Sequence, residues 1–233
     1  MTMLDLKTHL FDLGIDVSDE KLTKLERYLD FMLEYNENVN LTAIKNKEEA
    51  IEKHLFDSLL IAKDIDLSNK EICDIGSGAG LPGIPLAILF DNAKFSLIEP
   101  TKKRAVFLEK VVELLSLDNI SVINDRAENL TSLKERYDFA ISRAVAQLNI
   151  LLELSCQLIK VNGCLIAMKS RLAEEELDLS KNAMKQLSFE FVTNYKSTLP
   201  ISNEIRNNII LRKTNKTKNK YPRQYALILR RPL

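Results

Sequence analysis

Hydrophobic positions recur at helical spacing through the first 70 residues of the chain. Ser18 begins the sequence S-D-E-K, in which a residue that favours the N-cap precedes first-turn acids. Apolar residues then follow at every third or fourth position as far as an asparagine-rich stretch at 36–40, and the same spacing returns over 47–63. The pattern predicts an N-terminal helical cap over residues 1–70.

The spacing changes at Glu71, where short apolar runs begin to alternate with segments of helical spacing. The predicted strands are 71–75, 94–99, 119–124, 137–142 and 164–169. The predicted helices between them are 83–90, 102–115 and 148–160. Short links from strand to helix to strand predict βαβ units with a parallel sheet, and right-handed crossovers make that sheet doubly wound.

The last third of the chain predicts a charged helix over 173–187 and two strands at 189–195 and 207–212. A short link joins these strands, so we expect them to pair antiparallel. The complete prediction is a Rossmann-like α/β domain over 71–213, with a mostly parallel seven-stranded sheet and an antiparallel last strand. The run Lys213–Lys220 is polar and basic and is predicted to be mobile, and residues 214–233 form a basic C-terminal tail.

The net charge of zero is a cancellation between two regions of the chain. Lysine and arginine number 33, as do aspartate and glutamate. The last acidic residue is Glu204, and the nine basic residues after it give residues 205–233 a charge of +9, against −9 for the rest. A neutral total therefore does not exclude a nucleic-acid partner.

Cysteine and histidine are too few and too scattered for a zinc site. The chain has three cysteines without a C-x-x-C pair and two histidines, so we expect no metal and reduced thiols. The N-terminus lacks the apolar core of a signal peptide, and no apolar run reaches the roughly 18 residues that suggest a membrane span. We expect a cytoplasmic protein that is not membrane-bound and acts as a monomer.

Four of the six glycines fall within eight residues, in the sequence CDIGSGAGLPG, which follows a predicted strand and opens a helix. Such a turn lets a ligand lie against bare backbone at a helix N-terminus. The candidate ligand-binding residues of this loop, called the glycine loop below, are Asp74, Gly76, Ser77, Gly78, Gly80 and Leu81. The D-x-G-x-G-x-G form resembles the first motif of S-adenosylmethionine-dependent methyltransferases. A dinucleotide site and a ligand-free turn are the alternatives.

Two further acidic positions fit a nucleoside ligand. Glu99 ends the second strand, where a carboxylate can accept both ribose hydroxyls of a dinucleotide or of S-adenosylmethionine. The sequence N-D-R-A-E at 124–128 follows the third strand, where an acid or a backbone group would lie near the adenine. Both positions support a nucleoside ligand without distinguishing a dinucleotide from S-adenosylmethionine.

The end of the fourth strand is where the chemistry of such a sheet is expected. The Asn/Asp/Ser-Pro-Pro-aromatic motif of enzymes that methylate exocyclic amines is absent, and neither Cys156 nor Cys164 is placed as a nucleophile. These absences favour an acceptor that needs no base, such as guanine N7, for which catalysis is mainly positioning. Arg143 at this strand end can anchor the donor carboxylate or a substrate phosphate, with a surface salt bridge as the structural alternative.

Taken together, the motifs resemble the bacterial glucose-inhibited division protein B family over about residues 4–223. The segments that carry the resemblance are YNENVNLTAI (35–44), KHLFDSL (53–59), DIGSGAGLPGIPL (74–86), KKRAVFLE (102–109), RAE (126–128), SRAVAQLN (142–149) and YPR (221–223). The resemblance implies a methyltransferase that modifies guanine N7 in 16S ribosomal RNA with S-adenosylmethionine. It also implies donor contacts at Gly76, Leu81, Ala127, Glu128 and Arg143.

Two other functions remain open at this point. A small-molecule methyltransferase would use the same donor but leave the basic tail unexplained. A non-catalytic RNA-binding or ribosome-assembly factor would keep the donor site as a relic. For the leading hypothesis, we expect ribosomal RNA to bind through the basic tail and a rim around the cleft.

Some positions match the family without an assigned role, and others depart from it. His54 and Asp57 match, and their i, i+3 spacing favours a hydrogen-bonded pair that braces the helical cap. Ser170 stands where many members have glycine. After Arg223 the chain continues QYALILRRPL rather than in Pro/Gly-rich form, and residues 226–229 are expected either to add an edge strand or to pack on the surface.

Overall fold

The computed structural model describes residues 1–233, beginning with two capped helices. Helix α1 spans Met3–Asp12 and α2 spans Asp19–Asn36. The Ser18 side chain accepts the backbone N–H of Lys21, which confirms the predicted N-cap. None of the helices has the length and apolar character needed to cross a membrane.

The predicted helix over 47–63 forms as one continuous helical segment of four pieces. These are α3 (Lys47–Ala50), a π-helix (Ile51–Phe56), α4 (Asp57–Leu59) and a 3₁₀ helix (Leu60–Lys63). The π-helix contains His54 and ends immediately before Asp57. π-Helical turns are rare and are frequent at functional sites.

Seven strands form a single sheet of order β3-β2-β1-β4-β5-β7-β6. They are β1 (Glu71–Ile75), β2 (Lys94–Ile98), β3 (Ile120–Ile123), β4 (Tyr137–Arg143), β5 (Ile159–Lys169), β6 (Phe189–Thr198) and β7 (Ile205–Lys213). Only β7 runs antiparallel to both of its neighbours. The predicted α/β class, the doubly wound sheet and the antiparallel last strand are confirmed.

Helices cover both faces of the sheet. They are α5 (Gly83–Leu89), α6 (Lys102–Leu115), α7 (Leu148–Ser155), α8 (Ala173–Leu179), α9 (Lys181–Leu187) and α10 (Tyr225–Arg230). Helices α5 and α6 share one apolar core with the N-terminal helices, and α7, α9 and α10 share the other. The helical cap therefore packs directly against one face of the sheet.

Three predicted boundaries are wrong. Helix α7 ends at Ser155, and β5 begins at Ile159, because the polar Asn162-Gly163 pair hides the first half of that strand in the sequence pattern. The predicted helix 173–187 breaks at Ser180, whose hydroxyl donates to the Glu176 carbonyl and competes with helical bonding.

The C-terminal segment also departs from the sequence prediction. Lys213 is fully buried rather than part of a mobile run, because its Nζ donates to the carbonyls of Cys156 and Ile159 at 2.8 Å each. Residues 225–230 form α10 and not an edge strand, and α10 buries Ile228 in the core beneath α7.

Candidate functional site

The glycine loop leaves β1 with three glycines in the left-handed region. Gly76, Gly78 and Gly80 have φ of +72°, +58° and +91°. A Cβ on Gly76 would lie 2.5 Å from Cγ2 of Val145, which belongs to the loop after β4. Glycine is therefore required at position 76 both by the backbone conformation and by the close approach of a second loop.

Asp74 holds the glycine loop from inside the protein. Its buried Oδ2 accepts the backbone N–H of Gly83 at 3.1 Å, which connects β1 to the first turn of α5. The Ser77 hydroxyl donates to the backbone carbonyl of Asp74 at 3.1 Å. Burial raises the pKa of Asp74 to about 7. Asp74 and Ser77 thus shape the loop through its backbone.

Glu99 lies beside the glycine loop, where the parallel pairing of β1 and β2 brings it. Its Oε2 accepts the N–H of Gly78 at 2.9 Å, and its Oε1 accepts the N–H of Thr101 at 2.7 Å. The sequence did not indicate that this carboxylate also holds the loop. Each oxygen has lone pairs beyond these single bonds, so both can still accept a hydroxyl.

The third predicted contact segment is a 3₁₀ turn at Ala127–Asn129. The carbonyls of Ala127 and Glu128 accept Nε2 of Gln157 at 3.0 and 3.2 Å. Oε1 of Glu128 is buried and has no hydrogen-bond partner within the protein. A buried acceptor of this kind is rare without a ligand or water, which fits the predicted nucleoside site.

Arg143 ends β4 and turns toward the helical cap. Its Nη1 donates to the Lys53 carbonyl at 2.8 Å and to Oδ2 of Asp57 at 3.2 Å. Its Nη2 lies 3.4 Å from Nδ1 of His54. The side chain is 17% exposed, so this is an enclosed ion pair rather than a surface salt bridge.

His54 and Asp57 do not bond to each other, so the predicted direct pair is wrong. Both side chains instead face Arg143, His54 from the π-helix and Asp57 from the first residue of α4. Oδ2 of Asp57 also accepts Nε–H of Arg206 at 3.0 Å. Nε2 of His54 lies 2.8 Å from the Thr42 hydroxyl. Burial and the Arg143 cation lower the pKa of His54 to about 4, so the ring is neutral at pH 7.

A cavity of about 610 Å³ opens beyond the ends of β4 and β5. Its titratable lining residues are Lys53, His54, Asp57, Arg143, Lys169, Glu176, Glu204 and Arg206. Val145 also lines this cavity and approaches Gly76, so the cavity adjoins the glycine loop. A cavity of this size accommodates a nucleobase with part of a bound donor.

Two further residues support the loops around the site. The hydroxyl of Tyr28, a fully buried residue of α2, donates to the Ala79 carbonyl in the glycine loop at 2.6 Å. Nζ of Lys169 donates to the Ala146 carbonyl at 2.6 Å and pairs with Glu176 at 2.7 Å. Tyr28 resembles any core residue in the helical pattern, and only the fold places it under the loop.

This sheet order, with a three-glycine loop after β1 and an acid after β2, defines a Rossmann-like S-adenosylmethionine-dependent methyltransferase. The family model described as rRNA small subunit methyltransferase G matches residues 21–205. The chain belongs to that family, which confirms the resemblance seen in the motifs.

Relatives match over nearly the whole chain. The ribosomal RNA small subunit methyltransferase G of Bacillus subtilis is 38% identical over 228 residues, covering 96% of this chain and 95% of the relative. That of Fusobacterium nucleatum is 39% identical over 228 residues, covering 97% and 98%. Because the matches cover nearly the whole chain, the similarity extends over the helical cap as well as the sheet.

Solved structures of lower similarity share the fold. M. jannaschii TYW2 in complex with AdoMet has a TM-score of 0.58 at 16% identity, covering 73% of this chain and 79% of its own. A SAM-dependent methyltransferase from Aquifex aeolicus has a TM-score of 0.54 at 14% identity, covering 70% and 92%. At these identities the likeness shows the fold alone.

Proposed function

We propose that this protein transfers the methyl group of S-adenosylmethionine to N7 of a guanine in 16S ribosomal RNA. The observation that carries the choice of acceptor is the state of the titratable groups in the cavity. Nδ1 of His54 faces the Arg143 cation, and its Nε2 lies 2.8 Å from the Thr42 hydroxyl. Asp57 is paired with both Arg143 and Arg206. Neither is placed to remove a proton, and guanine N7 has none to lose.

The other charged groups of the cavity are paired as well. Lys169 pairs with Glu176 at 2.7 Å, and Glu204 pairs with Lys53 at 2.6 Å and with Arg206 at 2.8 Å. Ion pairs of this kind hold the cavity walls in place without supplying a general base. This favours catalysis by orientation of the two reactants.

The donor fits the residues around the glycine loop. When bound, S-adenosylmethionine supplies a methyl group on a cationic sulfur, which a nitrogen lone pair can attack directly. Glu99 is proposed to accept the ribose hydroxyls, and Ala127 and Glu128 to contact the adenine. Gly76, Gly78, Gly80 and Leu81 are proposed to line the donor through their backbone, with Asp74 and Ser77 fixing that backbone from within.

Arg143 is proposed to bind the donor carboxylate and so to set the direction of the methyl group. Its Nη1 is held by Asp57 and Lys53, and its Nη2 lies 3.4 Å from Nδ1 of His54. Nε and the second N–H of Nη2 have no partner within the protein and are proposed to donate to a planar carboxylate. We propose that the target guanine leaves its stack to enter the cavity. The reaction is proposed to take place in the cytoplasm, on a monomer.

The test is methylation of 16S ribosomal RNA from cells that lack the gene. Wild-type protein with S-adenosylmethionine is expected to restore one N7-methylguanine, detected by mass spectrometry of nuclease fragments. RNA that already carries every N7-methylguanine in the deletion strain would contradict the proposal. Methyl transfer to small molecules alone would support a small-molecule enzyme, and no calorimetric binding of the donor would support a relic.

A matched pair of variants tests Arg143. Arg143→Ala is expected to lose methylation by at least about a hundredfold, because an unfixed donor is no longer aligned with its acceptor. Arg27→Ala, an exposed arginine on α2 that bonds the Leu114 carbonyl, is the control and is expected to keep full activity. Equal activity of both variants would remove Arg143 from the proposed mechanism.

A further inference from the structure

The nine basic residues after Glu204 do not form one basic tail. Arg206, Arg212, Lys213 and Arg223 each pair with a carboxylate within 4 Å. The remaining five fall into a lysine group, Lys216, Lys218 and Lys220, and an arginine pair, Arg230 and Arg231. Thr217 in the lysine group contacts the chain just after α7, whereas Leu233, two residues after the arginine pair, contacts the start of α7.

The lysine group follows the edge where the parallel strands begin. Lys213 Nζ bonds the carbonyl of Ile159, the first residue of β5. The Thr217 hydroxyl donates to the carbonyl of Cys156, just after α7, at 2.6 Å. This edge is separated from the donor site by the length of β4, roughly 20 Å at the usual rise per residue.

The chain then returns along α7 toward the donor site. Arg223 makes a two-point ion pair with the buried Glu153 of α7, through Nε at 2.8 Å and Nη2 at 2.6 Å. Ile228 is buried in the same core as α7. At the start of α7, Nδ2 of Asn149 donates to the carbonyl of Leu233 at 3.5 Å. The C-terminus therefore ends where β4 passes into α7.

Tyr225 connects this segment to the proposed adenine contacts. The Arg126 guanidinium lies 4.3 Å from the centre of the Tyr225 ring, in cation–π geometry. Arg126 directly precedes Ala127 and Glu128 in the turn after β3. Tyr225 thus holds an exposed arginine at the rim of the donor site.

We call Arg126, Arg230 and Arg231 the arginine patch, because Arg126 contacts Tyr225 at the start of α10 and the other two arginines lie at the end of that helix. All three are exposed, and Arg230 and Arg231 have no carboxylate within 4 Å. Arg126 has one carboxylate within 4 Å, Oε1 of Glu128 at 3.9 Å, in addition to its contact with the Tyr225 ring. The side-chain N–H groups of Arg230 and Arg231 are therefore available to bind an anion.

We propose that the arginine patch binds phosphates of the ribosomal RNA beside the target guanine, and that the lysine group does not. This inference rests on the proposed function, because it assumes an RNA substrate at the donor site. Arginine suits the purpose, since its planar fork can hold two phosphate oxygens in a fixed direction. The patch would orient the RNA strand, while the cavity receives the base.

The experiment compares two double variants of the full chain that lose the same charge. Arg230→Ala/Arg231→Ala removes the pair from the patch, and Lys216→Ala/Lys218→Ala is the matched control. Binding of a fluorescent fragment of unmethylated 16S ribosomal RNA is measured by anisotropy at several salt concentrations. The patch variant is expected to bind at least about tenfold more weakly at 0.1 M salt, with a salt slope smaller by about 1.4, and the control is expected to match wild type.

Arg126→Gln tests the same surface from another segment of the chain. Its RNA binding is expected to show a salt slope that is smaller by about 0.7. Calorimetric binding of S-adenosylmethionine is expected to be unchanged in the Arg230/Arg231 and Lys216/Lys218 variants. Equal losses in both double variants, or no loss in the patch variant, would overturn the inference. Wild-type methylation of the RNA in the same assay separates that outcome from failure of the proposed function itself.

Discussion

Gly76 must be glycine both for its positive φ and for the close approach of Val145. Comparison with Gly14 distinguishes these two effects. Gly76 has φ of +72° and Gly14 has φ of +78°, but only Gly76 has a neighbour within 4 Å of the position of a Cβ. Conformational strain is therefore common to both positions, and the clash with Val145 belongs to Gly76 alone.

We expect Gly14→Ala to lower the free energy of unfolding by about 1 kcal/mol, from backbone strain alone. Gly76→Ala is expected to lower the free energy of unfolding by more than Gly14→Ala does, because Val145 or the loop must move. It is also expected to weaken donor binding at least about tenfold. Denaturant unfolding and calorimetry with S-adenosylmethionine measure the two effects. Similar stability and donor affinity in both variants would show that the approach of Val145 is unimportant.

His54 makes the stability of the protein depend on pH. Burial and Arg143 lower its pKa from 6.5 to about 4 in the folded state. The unfolded chain then binds the proton first as the pH falls, so stability is present above pH 6.5 and is lost between pH 6.5 and 4.

We expect wild type to lose up to about 3 kcal/mol more than His54→Gln when the pH is lowered from 7 to 4, because only the wild-type ring titrates. The comparison removes the contribution of the carboxylates, which both proteins share. Chemical unfolding at each pH provides the measurement. A difference that stays constant with pH would mean that His54 is not held neutral.

At the scale of elements, α2 supports the glycine loop as well as covering the core. The hydroxyl of Tyr28 reaches the Ala79 carbonyl. Tyr35, two helical turns further along α2, packs against Phe31 and Phe107. The same helix therefore offers a hydroxyl that touches the loop and one that does not.

We expect Tyr28→Phe to lower the free energy of unfolding by about 1 kcal/mol and to raise the Kd for S-adenosylmethionine severalfold, because the loop loses its support. Tyr35→Phe is the control and is expected to change neither quantity. A rise in the Kd for Tyr35→Phe as large as that for Tyr28→Phe would assign the effect to aromatic packing in general.

At the scale of the whole molecule, the C-terminal segment is part of the fold. Arg223 pairs with Glu153, whose side chain is 1% exposed, so the ion pair joins the last residues to α7. The tail is thus connected to the core through one buried charge as well as through Ile228.

We expect Arg223→Ala to lower the free energy of unfolding by about 3 kcal/mol, because it leaves the Glu153 carboxylate buried without its partner. Arg230→Ala, which breaks no ion pair, is expected to leave stability within about 0.5 kcal/mol of wild type. Thermal and denaturant unfolding measure both. Equal stability of the two variants would show that the C-terminal segment is not fixed by Glu153.

The sequence was sufficient for the parts of the protein that depend on local pattern. The order of strands and helices follows from hydrophobic period, and the glycine loop and Glu99 follow from their places at strand ends. Such features involve residues close in sequence or fixed by the general rules of parallel sheets. The β5 boundary failed for a local reason as well, because Asn162 and Gly163 interrupt the apolar run.

Only the tertiary structure decided which distant groups meet. Arg143 lies 86 residues from Asp57, and Arg206 lies 149 residues from it, yet one carboxylate oxygen serves both. The burial of Lys213 and the return of the C-terminal segment to the start of α7 are likewise long-range outcomes. The hydrophobic period indicates which face of an element is buried. It does not indicate which distant charged residue will pair with a given side chain, because that depends on how all the elements pack together.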